Sequence, residues 1–454
     1  MVLFMIVVFL VGYFCIAMEH PLKVNKAATA LLLSVVLWVA YMAYAPALFP
    51  GMSREQVYNL INEKQIIGHL GDISEILFFL LGAMTIVELV DVHGGFNIIT
   101  SHITTRNKRK LLWILALVTF FMSAILDNMT TAIVMTMLLR KLVSDRQERW
   151  IYAGVIIIAA NSGGAFSPIG DVTTIMLWIS GNVTSLHLIP ELFLPALTSV
   201  LIPVALASGL LKGDAEPDNL QKNTEHNHPA ASVITEAERS TIFALGVGSL
   251  AFVPVFRSIT HLPPFLGVLF GLSILWVYTE ILYHRKQYVE ESRKARITLV
   301  LTRVDTSTIL FFLGILMSVA VLQESGILNS FSQQLDKHVG NYYVIDVVIG
   351  IISSIVDNVP LVAGAMGMYS IDPVSAFFVQ DGIFWIFLAY CAGVGGSILI
   401  IGSAAGVVVM GLEKINFIWY LKNISWIALL GYLAGAAVYV FEMQVLFPML
   451  GGLK

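Results

Sequence analysis

The chain has 454 residues, of which 57% are hydrophobic and only 12% are charged, and its formal net charge is −4. A soluble domain averages roughly 25% charged residues, so this composition provides too little polar surface for a chain of this length in water. We therefore predict a polytopic membrane protein, and the small negative charge gives no reason to expect a nucleic-acid partner. Cys15 and Cys391 lie in apolar runs, which favours two buried thiols over a disulfide framework.

Apolar segments long enough to cross a bilayer recur along the whole chain. A bilayer core of about 30 Å takes about 20 apolar helical residues. This length predicts ten spans near 2–18, 27–48, 73–92, 150–179, 188–212, 240–257, 264–283, 305–324, 382–411 and 423–447. The N-terminal segment has neither a basic n-region nor a small-residue cleavage site, so we expect a retained first span rather than a signal peptide.

Two further apolar stretches, 111–139 and 343–370, are too long for one simple span, and each is interrupted by Asp-Asn. We predict that each forms a re-entrant helical hairpin. Lys and Arg concentrate in cytoplasmic loops. Basic clusters flank the first hairpin on both sides, whereas only Lys337 lies near the second. The first hairpin should therefore open to the cytoplasm and the second to the outside, with both chain termini outside.

The two halves of the chain resemble each other in sequence, at offsets between 230 and 233 residues. The matching pairs are ILFFLLGAMT at 76–85 with ILFFLGILMS at 309–318, ILDNMTT at 125–131 with IVDNVPL at 355–361, and GGAFSPIGDVTTIM at 163–176 with GGSILIIGSAAGVV at 395–408. Three matches in the same order indicate an internal duplication. Each half has five spans, and because five is odd, the second half should lie inverted, as is typical of secondary transporters.

The predicted fold is thus all-α, with two inverted five-span repeats over 1–212 and 240–454. A polar cytoplasmic linker, 213–239, joins the repeats. Each repeat has one hairpin and one span unwound at a Gly-rich break, which are 111–139 and 150–179 in the first repeat and 343–370 and 382–411 in the second. We expect His226 and His228 in the linker to be solvated rather than to bind a metal.

Three aspartates lie at the predicted depth of the bilayer, where ionisable groups are costly and usually functional. Asp127 and Asp357 occupy equivalent hairpin tips, whereas Asp171 follows the first Gly-rich break and has Ser403 as its counterpart. The tips and breaks also offer amide, hydroxyl and unwound main-chain oxygens, which are the ligands that a small hard cation prefers. Because Asp171 is present in one half only, we expect the first half to hold the main ion site.

The charge of the ion that the site binds can be inferred from where the basic residues lie. No Lys or Arg occurs within 111–139, 151–211 or 343–411, so no basic residue within these segments can neutralise the aspartates. An anion site would be expected to use Arg or Lys, so we expect cations or protons to bind. Four outlying ionisable residues lie nearer to span ends, where an interfacial position is the simpler interpretation: Glu75, Glu88, Glu191 and His187.

The motifs D-N-M-T-T, D-N-V-P and N-S-G-G-A-F-S-P-I-G-D-V-T-T resemble those of NhaD-type sodium/proton antiporters. These belong to the ion transporter superfamily, together with divalent anion/sodium symporters and citrate carriers. The resemblance implies a homodimer in the lipid bilayer, expected here in the bacterial inner membrane. It also implies elevator-like alternating access, in which cytoplasmic Na⁺ or Li⁺ is exchanged for external H⁺ without a cofactor.

Carried onto this sequence, the resemblance implies an ion-binding and proton-coupled site. Its residues are Asp127, Asn128, Thr131, Asn161, Asp171, Thr173, Thr174, Ser353, Asp357 and Asn358, with Ser397 and Ser403 as weaker candidates. Na⁺ itself is expected at the carboxylate and amide members, Asp127, Asn128, Asn161, Asp171, Asp357 and Asn358. The anion-transporting relatives favour Ser-Asn-Thr at the tips, and the Asp in this chain favours a cation.

Two alternatives stay open at this point. The first is a sodium-coupled di- or tricarboxylate symporter of the same superfamily, which needs a basic or main-chain anion site. The second is an intramembrane aspartyl protease that uses two buried aspartates. The stretch P-I-G-D at 168–171 departs from the G-x-G-D of such enzymes, because Pro168 replaces the first Gly. A duplicated Asp-Asn tip also has no purpose in a protease, so we expect a transporter and not an enzyme.

Overall fold

The computed structural model describes residues 2–100, 103, 105–211, 213–214, 233–286, 296–355 and 357–449. These residues form helices and their connections, and they contain no strand beyond an isolated β-bridge between Asn107 and Asp214. Most of the predicted linker, including His226 and His228, lies outside the described residues.

The helices of the first half are grouped by the predicted hairpin and broken span. Before the hairpin lie Val2–Ala17, Glu19–Leu22, Lys26–Leu48, Arg54–Asn59, the π-helical Leu60–Ile66, Ile67–Val92 and Asn97–Thr100. Hairpin 1 consists of Lys108–Ser123 and Asn128–Leu142, and broken span 1 consists of Arg146–Ala165 and Val172–Ile179. The half ends with Ser185–Ser208.

The second half likewise places a hairpin before a broken span. It begins with Glu236–Thr260, Pro264–Arg285, Ile297–Leu301, Thr306–Glu324 and Ile327–His338. Hairpin 2 consists of Tyr342–Ser353 and Asn358–Met368, and broken span 2 consists of Ile383–Gly395 and Ala404–Glu413. Phe417–Asn423, Ser425–Phe441, the π-helical Glu442–Leu446 and Phe447–Met449 follow.

Seven helices in the described part of the chain are long and apolar enough to cross a membrane, or eight if the bent pair Ala404–Glu413 and Phe417–Asn423 is one span. The all-α, polytopic membrane class is therefore confirmed. The predicted count of ten is higher because it included short or interrupted helices. Val2–Ala17 has only 16 residues, and each broken span is divided into two shorter helices.

Four helices begin at the hairpin tips and at the Gly-rich breaks, and each has a polar cap. Asp127, Asp171, Asp357 and Ser403 accept hydrogen bonds through their side-chain oxygens from backbone N–H groups of the turn that follows. The first N–H groups of a helix have no partner within the helix, and lipid offers none. A polar cap therefore allows these helices to start inside the apolar interior.

Each hairpin packs closely on the broken span of its own half, through matching contacts. A Cβ atom on Gly163 would lie 2.1 Å from the carbonyl oxygen of Phe120, and one on Gly395 would lie 2.2 Å from that of Gly350. Gly163 and Gly395 are 232 residues apart and Phe120 and Gly350 are 230 apart, so both spacings fall within the offsets of the sequence repeat. The glycines are thus needed for close approach of two backbones, and the two halves share this packing.

We expect Gly163→Ala to push hairpin 1 away from broken span 1, because the new methyl group would meet main-chain atoms that cannot rotate away. Overpacking of this kind typically costs about 1–3 kcal/mol. The thermal denaturation temperature in detergent should fall. Gly411→Ala is the matched control, since nothing lies within 4 Å of its added Cβ. Equal behaviour of the two variants would contradict the packing argument.

The helices fall into two packed groups. The flanking group contains Lys26–Leu48, Ile67–Val92, Glu236–Thr260, Pro264–Arg285 and Thr306–Glu324. The hairpin group contains both hairpins, both broken spans, Ser185–Ser208 and Ser425–Phe441. Hairpin 2 touches the flanking group through Asn358–Met368, which packs on Thr306–Glu324. The candidate site residues lie almost entirely within the hairpin group.

A buried carboxylate links the two halves within the hairpin group. Glu413, at the end of broken span 2, has a side chain only 1% exposed. Its two oxygens accept from Arg140 Nε at 2.6 Å and from Arg149 Nε at 3.0 Å. Removing one partner of a buried ion pair is strongly destabilising. This triad therefore holds the end of hairpin 1 and the start of broken span 1 against broken span 2.

Candidate functional site

The tips of both hairpins meet at the break of broken span 1. Asn128 Nδ2 donates to Asp171 Oδ2 at 3.0 Å, and Asn358 Nδ2 donates to the same oxygen at 3.3 Å. The backbone N–H of Asn128 also donates to the carbonyl oxygen of Gly170 at 3.1 Å. One carboxylate, only 2% exposed, therefore receives amide groups from both halves of the chain.

The network continues from this carboxylate to broken span 2. Asn128 Nδ2 lies 3.1 Å from Asn161 Oδ1, and Asn161 Nδ2 donates to Ser403 Oγ at 2.9 Å. All three residues are buried. The predicted members Asn128, Asn161, Asp171, Asn358 and Ser403 thus form one connected set, and each of the four interrupted elements contributes to it.

The remaining predicted threonines lie beside this set. The backbone N–H of Thr173 donates to Asp171 Oδ1 at 3.1 Å. Thr174 Oγ1 donates to the main-chain oxygen of Asp171 at 2.8 Å. The buried Thr131 and Thr173 hydroxyls have no hydrogen-bond partner among the described residues. An unused hydroxyl close to the tip is a further oxygen that a small cation could recruit.

Two predicted serines have a different role. Ser353 Oγ donates to the carbonyl oxygen of Ala392 at 2.9 Å, and Ser397 Oγ donates to that of Val394 at 2.6 Å. The first bond fastens hairpin 2 to broken span 2, and the second lies within one helical turn. The structure therefore does not bring Ser353 or Ser397 into the hydrogen-bonded set around Asp171.

Asp127 and Asp357 lie at the rim of the site. Asp127 accepts from the backbone N–H of Thr130 at 2.8 Å and from its hydroxyl at 2.5 Å, so its carboxylate turns toward its own helix. Both aspartates remain within electrostatic range of Asp171. In the part of the chain that the structure describes, no three His, Cys, Asp or Glu side chains form a metal-binding group. The three carboxylates therefore do not converge on one point.

Lys26, which lies outside the segments without Lys and Arg, reaches the tip of hairpin 2. Lys26 Nζ is 3.1 Å from Asp357 Oδ2 and 4.4 Å from the centre of the Phe311 ring. The absence of Lys and Arg from the hairpin segments is correct, but the inference that the aspartates lack a basic partner needs correction for Asp357. Lys26 is 331 residues away in the chain, so no local pattern indicated the pair.

The donor set around Asp171 can serve two states of the site. An Asn side chain presents either an amide oxygen or an amino group to the same point, depending on its orientation. In this structure the amino groups of Asn128 and Asn358 face the carboxylate. If these amides turn, their oxygens join the carboxylate as ligands of the type that hard cations prefer. The geometry therefore suits a group that is neutralised in alternation by a cation or by a proton.

The outlying ionisable residues stay outside this network. Glu88 lies 3.5 Å from Arg303, Glu191 lies 2.9 Å from His187, and Glu75 interacts with Arg257. A different acid was overlooked, although the signal was present in the sequence. Asp346 interrupts the apolar run YYVIDVVIGIIS of hairpin 2 and is 1% exposed.

The family model described as "Citrate transporter" matches residues 13–380. Sodium/proton antiporter 1 of Arabidopsis thaliana is 44% identical, with 96% of this chain and 72% of the relative covered. Sodium/proton antiporter 2 of the same plant is 40% identical, covering 96% and 98%. The Na⁺/H⁺ antiporter NhaD of Vibrio cholerae is 29% identical, covering 96% and 90%. The chain therefore belongs to the citrate transporter family and, within it, to the NhaD-type antiporters, which are transporters and not enzymes.

Proposed function

We propose that this chain is a secondary active transporter that exchanges cytoplasmic Na⁺ or Li⁺ for external H⁺. The observation that carries the proposal is the Asp171 carboxylate, which is buried and receives amide groups from both hairpin tips. A charge at this depth is costly unless a counter-ion or a proton neutralises it. The names of the relatives as sodium/proton antiporters support the choice of these two ions.

Competition for this carboxylate accounts for exchange. Na⁺ that arrives from the cytoplasm binds Asp171 when Asn128 and Asn358 turn their oxygens inward, and the proton leaves. On the other side, a proton neutralises the carboxylate and releases Na⁺. With its ion absent, the charged Asp171 crosses the apolar interior only at high cost, so movement is restricted to forms in which Asp171 holds a cation or a proton. Exchange is then obligatory, and no cofactor is needed.

The division into two groups supports elevator-like movement, in which the two repeats lie inverted and the hairpin group moves against the flanking group. Between hairpin 1 and Glu236–Thr260 lies a cavity of about 340 Å³ whose lining is almost wholly apolar. Its walls include Phe121 and Leu126 from the hairpin side and Phe243 and Val247 from the flanking side. Sliding between these apolar walls favours movement at this contact, whereas the Lys26–Asp357 ion pair and the hydrogen bond from Arg257 to the carbonyl oxygen of Trp178 join the two groups elsewhere and would have to open.

We also propose that two copies form a homodimer through the flanking group, as the family resemblance implies. The flanking helices expose large apolar side chains, such as Ile259 at 71% and Val277 at 59%, which suit contact with lipid or with a second copy. The bacterial inner membrane stays a prediction, because the relatives named above come from a plant as well as from a bacterium.

The test uses purified protein in proteoliposomes that hold a pH gradient, followed with a pH-sensitive dye. Addition of Na⁺ or Li⁺ should collapse the gradient, whereas K⁺ at equal concentration controls for leakage. A citrate arm separates the alternative that the family description suggests, a sodium-coupled anion symporter. Uptake of citrate with Na⁺, together with no collapse of the pH gradient by Na⁺ or Li⁺, would reject the antiport.

A further inference from the structure

Asp346 is a buried acid that the mechanism above does not use. It lies in the middle of the first helix of hairpin 2 and is 1% exposed. Neither oxygen of its carboxylate has a hydrogen-bond partner among the described residues. An isolated ionised carboxylate in apolar surroundings is far more costly than a neutral acid. Its environment therefore favours a bound proton.

The helix face that carries Asp346 is packed against broken span 2 and Ser425–Phe441. Gly350, one turn along, lies so close that a Cβ would be 2.5 Å from the carbonyl oxygen of Cys391 and 2.2 Å from the Tyr432 hydroxyl. The Tyr432 hydroxyl donates to the carbonyl oxygen of Val347 at 2.9 Å. The titratable groups within electrostatic range are Cys391, Tyr369, Tyr432 and Tyr439. No described Lys, Arg or His balances the carboxylate.

Packing alone does not require an acid at this position. Residues of hairpin 2 correspond to residues of hairpin 1 that lie 230 positions earlier, as Ser353 corresponds to Ser123. By the same offset, Asp346 corresponds to Ala116, which is fully buried in hairpin 1. An alanine therefore fills the matching place in the first half. Asp346 is an ionisable residue inside the membrane with no hydrogen-bond partner among the described residues, at a position where the alanine side chain is enough for packing in the other half. Such a residue indicates a function.

Tyr439 links Asp346 electrostatically to a second group of ionisable residues. Tyr439 is within electrostatic range of both Asp346 and Glu191. Glu191 Oε1 lies 2.9 Å from His187 Nδ1, and the His187 side chain is 39% exposed. Glu442, which is also buried, interacts with Glu191 from the end of the last long helix. The Tyr439 hydroxyl donates to the carbonyl oxygen of Ile383 at 3.2 Å, so these groups are electrostatic neighbours of Asp346 and, among the described residues, do not form a hydrogen-bonded chain from it to solvent.

We propose that Asp346 is a second proton-binding site, which carries a proton in hairpin 2 separately from the cation or proton that Asp171 holds. The coupling role rests on the proposed antiport, whereas proton binding itself does not. Each half of the chain then has one acid that the other half lacks. Asp171 corresponds to Ser403 in the repeat, and Asp346 corresponds to Ala116. Asp346 crosses protonated when Asp171 holds a proton, releases its proton to the cytoplasm, and returns ionised while Asp171 carries Na⁺, so loss of Asp346 lowers the number of protons exchanged for each Na⁺ by one.

The test measures the balance point of exchange in proteoliposomes, with the membrane potential held at zero by K⁺ and valinomycin. A fixed Na⁺ gradient is applied, and the pH gradient that stops net Na⁺ flux is determined. Asp346→Asn copies the shape of the neutral acid, and Asp346→Ala copies the first half. If the wild type carries two protons per Na⁺, the balancing pH gradient doubles in both variants. Asp72→Asn, the same change at an exposed position, should leave it unchanged.

The outcomes separate the two proposals. Wild-type exchange with an unchanged balance point in Asp346→Asn and Asp346→Ala overturns the coupling role of Asp346, while no exchange in the wild type rejects the antiport instead. Proton binding is then decided without transport, from the infrared difference spectrum between wild type and Asp346→Asn at neutral pH. A protonated-carboxyl band that is lost in the variant is expected. A spectrum without it, or an Asp346→Asn protein that no longer folds, contradicts a bound proton.

Discussion

Asp171→Asn should abolish Na⁺/H⁺ exchange while the protein still inserts and folds. The amide oxygen can still accept from the backbone N–H of Thr173, so the helix start is kept. The negative charge is lost, however, and an amide cannot take up a proton in exchange for Na⁺. A unit charge at about 4 Å contributes about 4 kcal/mol at an effective dielectric constant of about 20, which is about a 1,000-fold effect on cation affinity. Dye-based exchange over a range of Na⁺ concentrations measures this loss.

The second half of the chain provides the matched variant. Asp171 and Ser403 have nearly the same backbone conformation, with φ −143° and ψ 145° against φ −145° and ψ 154°, and both cap the following helix. Asp171→Ser therefore keeps the helix cap but has a shorter, uncharged side chain. We expect this variant to fold and to be inactive in exchange. Ser403→Ala should reduce exchange by less than Asp171→Ser. A wild-type Na⁺ response in Asp171→Ser would move the cation site to the rim aspartates.

The helix breaks could be predicted from sequence because their causes are local. An apolar run interrupted by Asp-Asn signals a cap that starts a new helix, and hairpin 1 indeed restarts at Asn128 behind Asp127. The Gly-rich stretches predicted breaks in the two broken spans, whose first helices end at Ala165 and Gly395. The close approach of Gly163 and Gly395 to main-chain oxygens of the hairpins was not part of that prediction. The prediction that Asp171 belongs to the main ion site also came from the sequence, because the corresponding residue of the second half is a serine, Ser403.

Contacts between distant segments could not be predicted in the same way. The Glu413 carboxylate meets Arg140 and Arg149 only after both halves have packed together. The Asp127 and Asp357 carboxylates looked equivalent in sequence, but one turns toward Thr130 and the other pairs with Lys26. Which lysine reaches a hairpin tip depends on how the flanking helices pack, and a single sequence contains no pattern that predicts this packing.

Lys26→Gln should lower the Na⁺ concentration that gives half-maximal exchange. Lys26 occupies Asp357 as a tethered cation, and its positive charge opposes the entry of Na⁺ to the nearby Asp171. Both side chains are partly exposed, at 26% and 19%, so solvent screens the effect. We expect about 1 kcal/mol, or roughly a fivefold change in affinity. Lys26→Arg, which keeps the charge, is the control.

The opposite change follows from removing the partner carboxylate. In Asp357→Asn the lysine charge is no longer balanced, so the half-maximal Na⁺ concentration should rise. The double variant Lys26→Gln/Asp357→Asn then distinguishes two roles of Asp357. A value near that of the wild type means that Asp357 acts only by holding the lysine, whereas a value as high as in Asp357→Asn means that the carboxylate itself binds Na⁺. A rise in Lys26→Gln alone would contradict the competition, because the lysine would then assist Na⁺ binding.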